Sequence, residues 1–295
     1  MKHQEAGTSY GKEGAFEYRM VRDRPDGIFL YKPLIEYLQA EDLHGKRIAD
    51  IGAGRAPWSI WAAQQGAEVF ASDIDHAMVL AAQEAVASAH VEGVHIVEAD
   101  AAKLPYPDAT FDKALSVQVA CNLPTGSFEQ HFAEMARILK TGGEAILTAP
   151  TSFGMVFTSG KMDHQRLLER LEILATEPNP VDRLQMLARE DNAHLATFVE
   201  NGEYLKLVTD EQELRSGQKI WRKLSGIVVP NYYHAHQEYL TAIEKSGLKL
   251  ERLMQLKFDS EEARASHNAT MTMEKQLGPE YSEKNPHNIY IVEKS

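Results

Sequence analysis

The sequence predicts an α/β protein with a doubly wound, mostly parallel sheet, and three observations carry that prediction. Short apolar runs of strand length alternate with longer segments of helical pattern, as expected when helices cover both faces of a parallel sheet. The first run ends in a glycine-rich turn, and the second ends at an acidic residue. The chain has 295 residues, which suffices for one such domain with an insertion.

The elements follow in order from residue 46. Strands are predicted where apolar and β-branched residues cluster between turn signals, over residues 47–51, 68–72, 94–98, 113–117, 144–148, 248–257 and 288–292. Helices are predicted from apolar residues recurring every three or four positions, over residues 57–65, 76–89, 127–140 and 234–246. We expect Ser127 and Gln130 to form a capping box, Gly142 to stop that helix, and the C-terminal strand to run antiparallel.

The alternation of strand and helix patterns stops between residues 151 and 231, which predicts an insert in this sheet domain. Residues 163–175, 181–190 and 210–224 show helical spacing, so we expect a mostly helical insert. Because open α/β sheets bind ligands at the carboxyl ends of their strands, the insert is expected to cover an acceptor site there. Its apolar side chains favour a small organic acceptor over a polyanion; they include Phe153, Met155, Phe157, Met162 and Trp221.

This interpretation divides the chain into three parts. Residues 46–150 and 232–295 form the core, residues 151–231 form the insert, and residues 1–45 form an N-terminal lid or cap. Tyr10 and Tyr18 are the lid residues expected to border the cofactor, since a phenol suits the wet edge of a cleft.

Charge and composition limit the function classes. The 43 acidic residues outnumber the 31 lysines and arginines, and the net charge of −12 disfavours nucleic acid as a partner. The single cysteine, Cys121, excludes an intramolecular disulfide, and the N-terminus shows no apolar leader. No stretch approaches the roughly 20 apolar residues of a membrane span. We therefore expect a cytoplasmic protein that acts on a small molecule, whose oligomeric state the sequence does not indicate.

The segment that carries the chemistry runs from Arg47 to Pro57 and reads RIADIGAGRAP. A strand entering Gly-x-Gly before a helix lets backbone N–H groups approach a ligand, because glycine has no Cβ. Asp73 lies 19 residues beyond Gly54, where a carboxylate can accept hydrogen bonds from both ribose hydroxyls. Asp50 precedes the turn, although a residue there could also cap the following helix.

A dinucleotide cofactor is the first alternative for this turn. Its fingerprint needs a third glycine three residues after the second, and this chain has Pro57 there. A nicotinamide-dependent oxidoreductase is therefore disfavoured but stays open. Asp73 and Asp100 could each be ordinary strand-end acids, yet together they indicate a nucleotide site at the carboxyl edge of the sheet.

Over residues 46–150, and more loosely over 234–292, the sequence resembles the class I S-adenosylmethionine-dependent methyltransferases. The motifs follow in family order and read DIGAG (50–54), ASDID (71–75), EADA (98–101), LPY with TFD (104–112) and RILKTGG (137–143). The resemblance implies a Rossmann-like fold and in-line displacement of the methyl group, with S-adenosylhomocysteine as product. A non-catalytic module that only binds S-adenosylmethionine is the second alternative.

The same resemblance implies contacts for the methionine half of the cofactor. Gly52, Ala53 and Gly54 would line this moiety, with Asp50 near its amino group. The backbone of Ser116-Val117 would face its carboxylate. Two departures stand out, namely Arg55-Ala56 in place of a small polar residue and glycine, and Cys121-Asn122 in place of the histidines of many members.

For the adenosine half, the resemblance implies four contacts. Asp73 would hold the ribose hydroxyls, and Ile74 would pack on the adenine. Asp100 would accept a hydrogen bond from the exocyclic amine, and the Ala101 N–H would face a ring nitrogen.

A proton acceptor is the least constrained part of the prediction. Methyl transfer to a hydroxyl releases a proton, and His234 or His236, where the insert rejoins the core, could accept it. The alternatives are that His234 caps a helix and that Tyr232 and Tyr233 wedge the insert against the domain. The histidines show no spacing typical of metal ligands, so no metal is predicted.

Overall fold

The computed structural model describes residues 32–150, 195–199, 217, 219–224, 227–255 and 287–295. The helices are α1 (Lys32–Gln39), α2 (Pro57–Gln64), α3 (His76–Ala89), α4 (Thr125–Ile138) and α5 (His236–Lys245). The strands are β1 (Arg47–Ile51), β2 (Glu68–Asp73), β3 (Val94–Glu98), β4 (Phe111–Val117), β5 (Leu139–Pro150), β6 (Leu195–Val199), β7 (Lys219–Leu224), β8 (Ile227–Tyr232), β9 (Leu248–Gln255) and β10 (His287–Lys294). None of the described helices combines the length and apolar character needed to cross a membrane.

The strands in these ranges build a seven-stranded sheet in the order β3-β2-β1-β4-β5-β10-β9. Strands β1 to β5 pair in parallel, and β10 pairs antiparallel with both β5 and β9. The prediction of a mostly parallel, doubly wound sheet with an antiparallel C-terminal strand is confirmed. The chain order reverses between β1 and β4, which is the switch point where α/β sheets open a crevice.

Two apolar layers cover the sheet. Helix α1 packs Leu34 and Leu38 with Ile48 of β1 and Leu115 of β4 on one face, where Trp58 of α2 joins them. On the other face, α4 and α5 pack against the strands through a cluster that includes Phe128, Phe132, Met135, Tyr239 and Ile243. The apolar stripe predicted for α4 is the one that is buried.

The ends of α4 differ from the prediction. The helix begins at Thr125, after Pro124 (φ −64°, ψ 159°), whose carbonyl accepts the first helical hydrogen bond from the Phe128 N–H at 2.9 Å. The expected capping box of Ser127 and Gln130 is therefore wrong, because Pro124 starts the helix earlier and Ser127 is buried. Gly142 (φ 71°) is left-handed as expected, but it lies within β5, since the chain passes from helix to strand at residue 139.

The prediction of a helix over residues 210–224 is also wrong at its C-terminal end. There β7 pairs antiparallel with β6 and with β8, and together they form a separate three-stranded sheet. The β7 and β8 sequences are separated by Ser225-Gly226, a dipeptide typical of two-residue hairpin connections. The helices predicted over residues 163–175 and 181–190 lie outside the described residues.

A buried lysine joins α1 to the sheet at the edge away from the glycine turn. Lys113 Nζ of β4 lies 3.0 Å from Glu41 Oε2 and 3.0 Å from Glu144 Oε1, and its side chain is 8% exposed. Tyr37 of α1 donates a 2.7 Å hydrogen bond to the second oxygen of Glu144. The lysine thus compensates a carboxylate that would otherwise be held unpaired between helix and sheet.

We expect Lys113→Met to lower the free energy of unfolding by about 3 kcal/mol, because it leaves the Glu144 carboxylate partly buried without its cation. Chemical denaturation measures this value. Lys245→Met is the control, since Lys245 is exposed and its 3.5 Å pair with Glu129 lies on the surface; its effect should stay within about 0.5 kcal/mol. Equal, small effects of the two substitutions would contradict the role of Lys113.

Candidate functional site

The parallel strands bring most of the predicted site residues to one edge of the sheet. Gly52 follows β1, Asp73 ends β2, Asp100 follows β3 by two residues, and Val117 ends β4. Because β1 to β4 are parallel, these four positions lie along the same carboxyl edge.

The Asp73 carboxylate ties two turns of this edge together. Its Oδ2 accepts a hydrogen bond from the Gly54 N–H at 2.8 Å, and its Oδ1 accepts one from the Asp75 N–H at 3.0 Å. Burial raises the pKa of Asp73, although these backbone donors oppose the shift. Each oxygen keeps a further lone pair, so the carboxylate can still accept from two hydroxyl donors.

Left-handed backbone shapes the glycine turn. Gly52 has φ 65°, and a Cβ at this position would lie 2.6 Å from Val119 Cγ2, so both conformation and packing require glycine. Gly54 has φ 56°. Ala56, which stands where the resemblance leads us to expect glycine, also adopts a left-handed conformation (φ 59°) at the N-terminus of α2. That conformation costs about 1–2 kcal/mol for a non-glycine residue, which the surrounding packing must offset.

Asp50 lies beneath this turn and is tied to α2. The side chain is buried, and its Oδ2 accepts a 2.6 Å hydrogen bond from Ser59 Oγ. The N-cap of α2 is Ala56, so Asp50 does not occupy the helix-capping position that we considered as an alternative. Its placement near a methionine amino group stays a prediction.

Asp100 opens a tight turn after β3. Its Oδ1 accepts from the Ala102 N–H at 2.8 Å, and its carbonyl accepts from the Lys103 N–H at 2.9 Å. One carboxylate oxygen is thereby used inside the turn, as in other Asx-type turns. Ile74, at the neighbouring strand end, is half-buried and can pack against a planar ring.

Ser116 contacts a histidine, His131, that we did not single out from the sequence. Its Oγ lies 2.8 Å from Nε2 of His131 in α4, and the His131 Nδ1 lies 3.1 Å from the Ala101 carbonyl oxygen. Both side chains are buried, and burial lowers the pKa of His131 to about 4. The available signal was a histidine among the phenylalanines of the apolar α4 stripe, where a polar side chain needs internal partners.

Beyond β4, a chain of amides connects the carboxyl edge to the insert. Gln118 adopts φ 61°, and its N–H donates to Thr148 Oγ1 of β5 at 2.9 Å. Asn122 Nδ2 donates to the Gln118 carbonyl at 2.7 Å, and Asn231 of β8 donates to Asn122 Oδ1. Strand β8 therefore contacts the segment that follows β4. A left-handed glutamine held by two neighbours is a strained residue of the kind found at functional sites.

His234 does not occupy the position expected of a proton acceptor. Its side chain is fully buried and stacks on Phe128 with ring centroids 3.9 Å apart. Burial lowers its pKa, and Nε2 lies 2.8 Å from the Leu123 carbonyl oxygen, to which it donates. Nδ1 lies 3.3 Å from Glu238 Oε2, so both ring nitrogens have partners and one ring face packs on Phe128. This environment favours a structural role over the predicted one. His234 does not cap α5 either, since Ala235 is the N-cap.

His236 is exposed and remains available as a prediction. Its Nδ1 lies 2.7 Å from the Tyr290 hydroxyl, whose oxygen accepts from Asn288 Nδ2 at 3.2 Å. Proton acceptance at Nε2 requires the tautomer in which the Nδ1–H donates to the Tyr290 oxygen, because Nε2 then keeps its lone pair. The other predicted contacts at the rim, Tyr10 and Tyr18, lie outside the described residues.

Comparison with known proteins identifies the part of the chain that carries the site. A family model described as a methyltransferase domain matches residues 49–147. Demethylmenaquinone methyltransferase from Listeria monocytogenes is 32% identical over 103 residues, which are 34% of this chain and 43% of that protein. The chain thus matches less than half the length of this curated relative.

Solved structures extend the likeness over most of the chain. An S-adenosylmethionine-dependent methyltransferase from Mesorhizobium loti is 17% identical with a TM-score of 0.52, covering 88% of this chain and 96% of that one. Magnesium protoporphyrin IX methyltransferase from Synechocystis, solved with bound SAH, is 16% identical with a TM-score of 0.57 and 98% coverage of both chains. At these identities the likeness concerns the fold.

We expect Asp73→Ala to weaken S-adenosylhomocysteine binding by about 2–3 kcal/mol, because it removes a charge-assisted acceptor for two hydroxyls. Titration calorimetry measures the affinity. The free energy of unfolding should fall as well, since the N–H groups of Gly54 and Asp75 lose their acceptor. A folded variant with unchanged affinity would remove Asp73 from the site.

We expect His234→Ala to lower the free energy of unfolding by about 2–4 kcal/mol, because it leaves a cavity beside Phe128 and the Leu123 carbonyl without its donor. Denaturation of His236→Ala provides the comparison, and this exposed residue should have a much smaller effect. A stable His234→Ala protein would restore His234 as a candidate proton acceptor.

Proposed function

We propose that this chain, which matches a methyltransferase domain over residues 49–147, is a class I S-adenosylmethionine-dependent methyltransferase that transfers a methyl group to a small-molecule acceptor. The observation that carries the proposal is the carboxyl edge itself. Its ordered Asp73 carboxylate, left-handed glycine turn and Asp100 turn lie on three successive strands.

The residues of this edge fit S-adenosylmethionine chemically. Asp73 keeps a lone pair on each oxygen for the two ribose hydroxyls. The Asp100 carboxylate is an acceptor of the kind that the exocyclic amine requires, and half-buried Ile74 offers an apolar surface to the base. Gly52 (φ 65°) and Gly54 (φ 56°) give the turn a left-handed backbone, which suits the close approach of a methionine moiety.

The work of the protein in this reaction is alignment. S-adenosylmethionine supplies an electrophilic methyl group on a sulfonium, which a nucleophile displaces in line. The Asp73 and Asp100 contacts fix the nucleoside, and the glycine turn fixes the other end. Such positioning can supply up to about 7–11 kcal/mol of the barrier in the best intramolecular cases. A proton acceptor is then needed only for an acceptor that loses a proton, and His236 is our candidate for it.

A small molecule is the acceptor class that we favour. The net charge of −12 opposes a polyanionic substrate, and the curated relative is named for a quinone, demethylmenaquinone. Polar side chains of Gln118, Asn122 and Asn231 lie where the insert meets the end of β4, and they could orient such an acceptor. We extend the proposal to the insert, residues 151–231, as the cover of this acceptor site.

We expect calorimetry to detect binding of S-adenosylmethionine and S-adenosylhomocysteine, and none of NAD, because Pro57 stands where a dinucleotide fingerprint has glycine. Binding of NAD alone would favour the oxidoreductase alternative. Turnover is measured separately as S-adenosylhomocysteine released on adding low-molecular-mass or macromolecular cell fractions. Release with the first fraction supports the proposed acceptor class. Cofactor binding without release in either fraction would favour a non-catalytic binding module.

A further inference from the structure

Helix α4 organises the connection between β3 and β4. Residues 99–110 contain no helix or strand, although all of them belong to the described part of the chain. Three polar side chains spaced along α4, namely His131, Glu134 and Arg137, bond to this connection. His131 reaches the Ala101 carbonyl at 3.1 Å, and Glu134 Oε2 accepts from the Leu104 N–H at 2.7 Å.

Arg137 bonds to the second half of the same connection, residues 104–108. Its guanidinium donates to the Leu104 carbonyl at 3.1 Å, the Tyr106 carbonyl at 2.6 Å and Asp108 Oδ1 at 2.8 Å. It also hydrogen-bonds both oxygens of Glu134, which holds the pKa of that carboxyl below its usual value. Of these three α4 residues, His131 is thus the one that bonds to the turn at Asp100 and Ala101, where the connection begins.

Hydrogen-bond chemistry fixes the tautomer of His131. The Ala101 carbonyl can only accept, so Nδ1 carries the proton and donates to it. The imidazole is fully buried and neutral, because burial lowers its pKa to about 4 despite the nearby Asp100 and Glu134 carboxylates. Nε2 therefore has a free lone pair, which accepts from Ser116 Oγ at 2.8 Å. One side chain joins the end of β4 to the turn after β3.

We propose that His131 is a positioning residue that holds the Asp100–Ala101 turn in the orientation that selects adenine. The turn has an internal hydrogen bond from the Ala102 N–H to Asp100 Oδ1 and another from the Lys103 N–H to the Asp100 carbonyl. On either side of the turn, the Ala99 N–H donates to the Asp73 carbonyl at 2.9 Å, and Glu134 and Arg137 hold Leu104. Between these anchored ends, the bond from His131 to the Ala101 carbonyl sets the orientation of the turn, because β4 anchors the imidazole through Ser116.

The inference rests on the proposed function, since it assumes that this turn faces the base of S-adenosylhomocysteine. Adenine presents an amine donor and a ring nitrogen acceptor, which match the Asp100 carboxylate and the Ala101 N–H. Hypoxanthine reverses both groups, with a carbonyl acceptor and an N–H donor. A correctly oriented turn must therefore bind S-adenosylhomocysteine more tightly than S-inosylhomocysteine, and a turn that has lost the His131 bond must lose part of that preference.

The test compares both ligands by calorimetry on the full chain with two matched substitutions. The amide of His131→Asn lies near the place of Nδ1 and can still donate to the Ala101 carbonyl. The amide of His131→Gln lies near the place of Nε2 and keeps only the Ser116 contact. We expect His131→Asn to retain the adenine preference, and His131→Gln to reduce it about tenfold, the effect of one lost buried hydrogen bond.

A purely structural role predicts a different result. Lys113→Met destabilises the opposite edge of the sheet and should leave the ratio of the two affinities unchanged, which calibrates the effect of stability alone. Equal preference ratios in wild type, His131→Asn and His131→Gln would overturn the inference. So would a wild type that binds both ligands equally. A wild type that binds neither would instead overturn the proposed function. If His131→Gln does not fold, Ser116→Ala replaces it and should lower the ratio in the same direction.

Discussion

The two backbone hydrogen bonds accepted by Asp73 are the constraint on which this edge of the molecule depends. They tie the glycine turn after β1 to the turn after β2, so the positions of Gly54 and Asp75 are set by one carboxylate. Burial raises the pKa of Asp73, because it disfavours the charged carboxylate, and the backbone donors oppose this effect. The structural role and the proposed ligand-binding role therefore fall on the same side chain, and we expect its removal to affect both.

Support for the rest of the edge comes from the two helical layers. On one face, Ser59 of α2 holds the buried Asp50 carboxylate. On the other, α4 holds the connection between β3 and β4 through His131, Glu134 and Arg137. Because each helix is anchored by its own apolar packing, the turns that carry the proposed ligand contacts need little internal stability. This division between a rigid scaffold and shaped turns is typical of α/β sheets that bind ligands at strand ends.

The end of the insert meets the core through a polar contact of Asn231, and the buried His234 follows directly in the core. Asn231 reaches Asn122, and His234 packs on Phe128 immediately after β8, so the chain re-enters the core beside the end of β4. Two histidines of identical chemistry, separated by one residue, thus have different environments. His234 is enclosed by residues of the core, whereas His236 is exposed and forms a hydrogen bond with the Tyr290 hydroxyl. Sequence spacing alone could not distinguish them, because burial depends on which helix lies against each ring.

The sequence by itself determined the order of the core elements and the acids at their ends. Strand periodicity and turn residues are local, so β1, α3 and β3 fall where the pattern predicts, and Asp73 and Asp100 reach a common edge once the strands are parallel. The start of α4 and strand β7 were missed, because Pro124 begins the helix earlier and because the pairing of β7 with β6 and β8 outweighs the helical spacing of its residues. Only the tertiary structure decided the roles of His131, His234 and Gln118. Their partners Ala101, Leu123 and Thr148 are distant or on other elements, and hydrogen bonds across such separations leave no periodic trace in the chain.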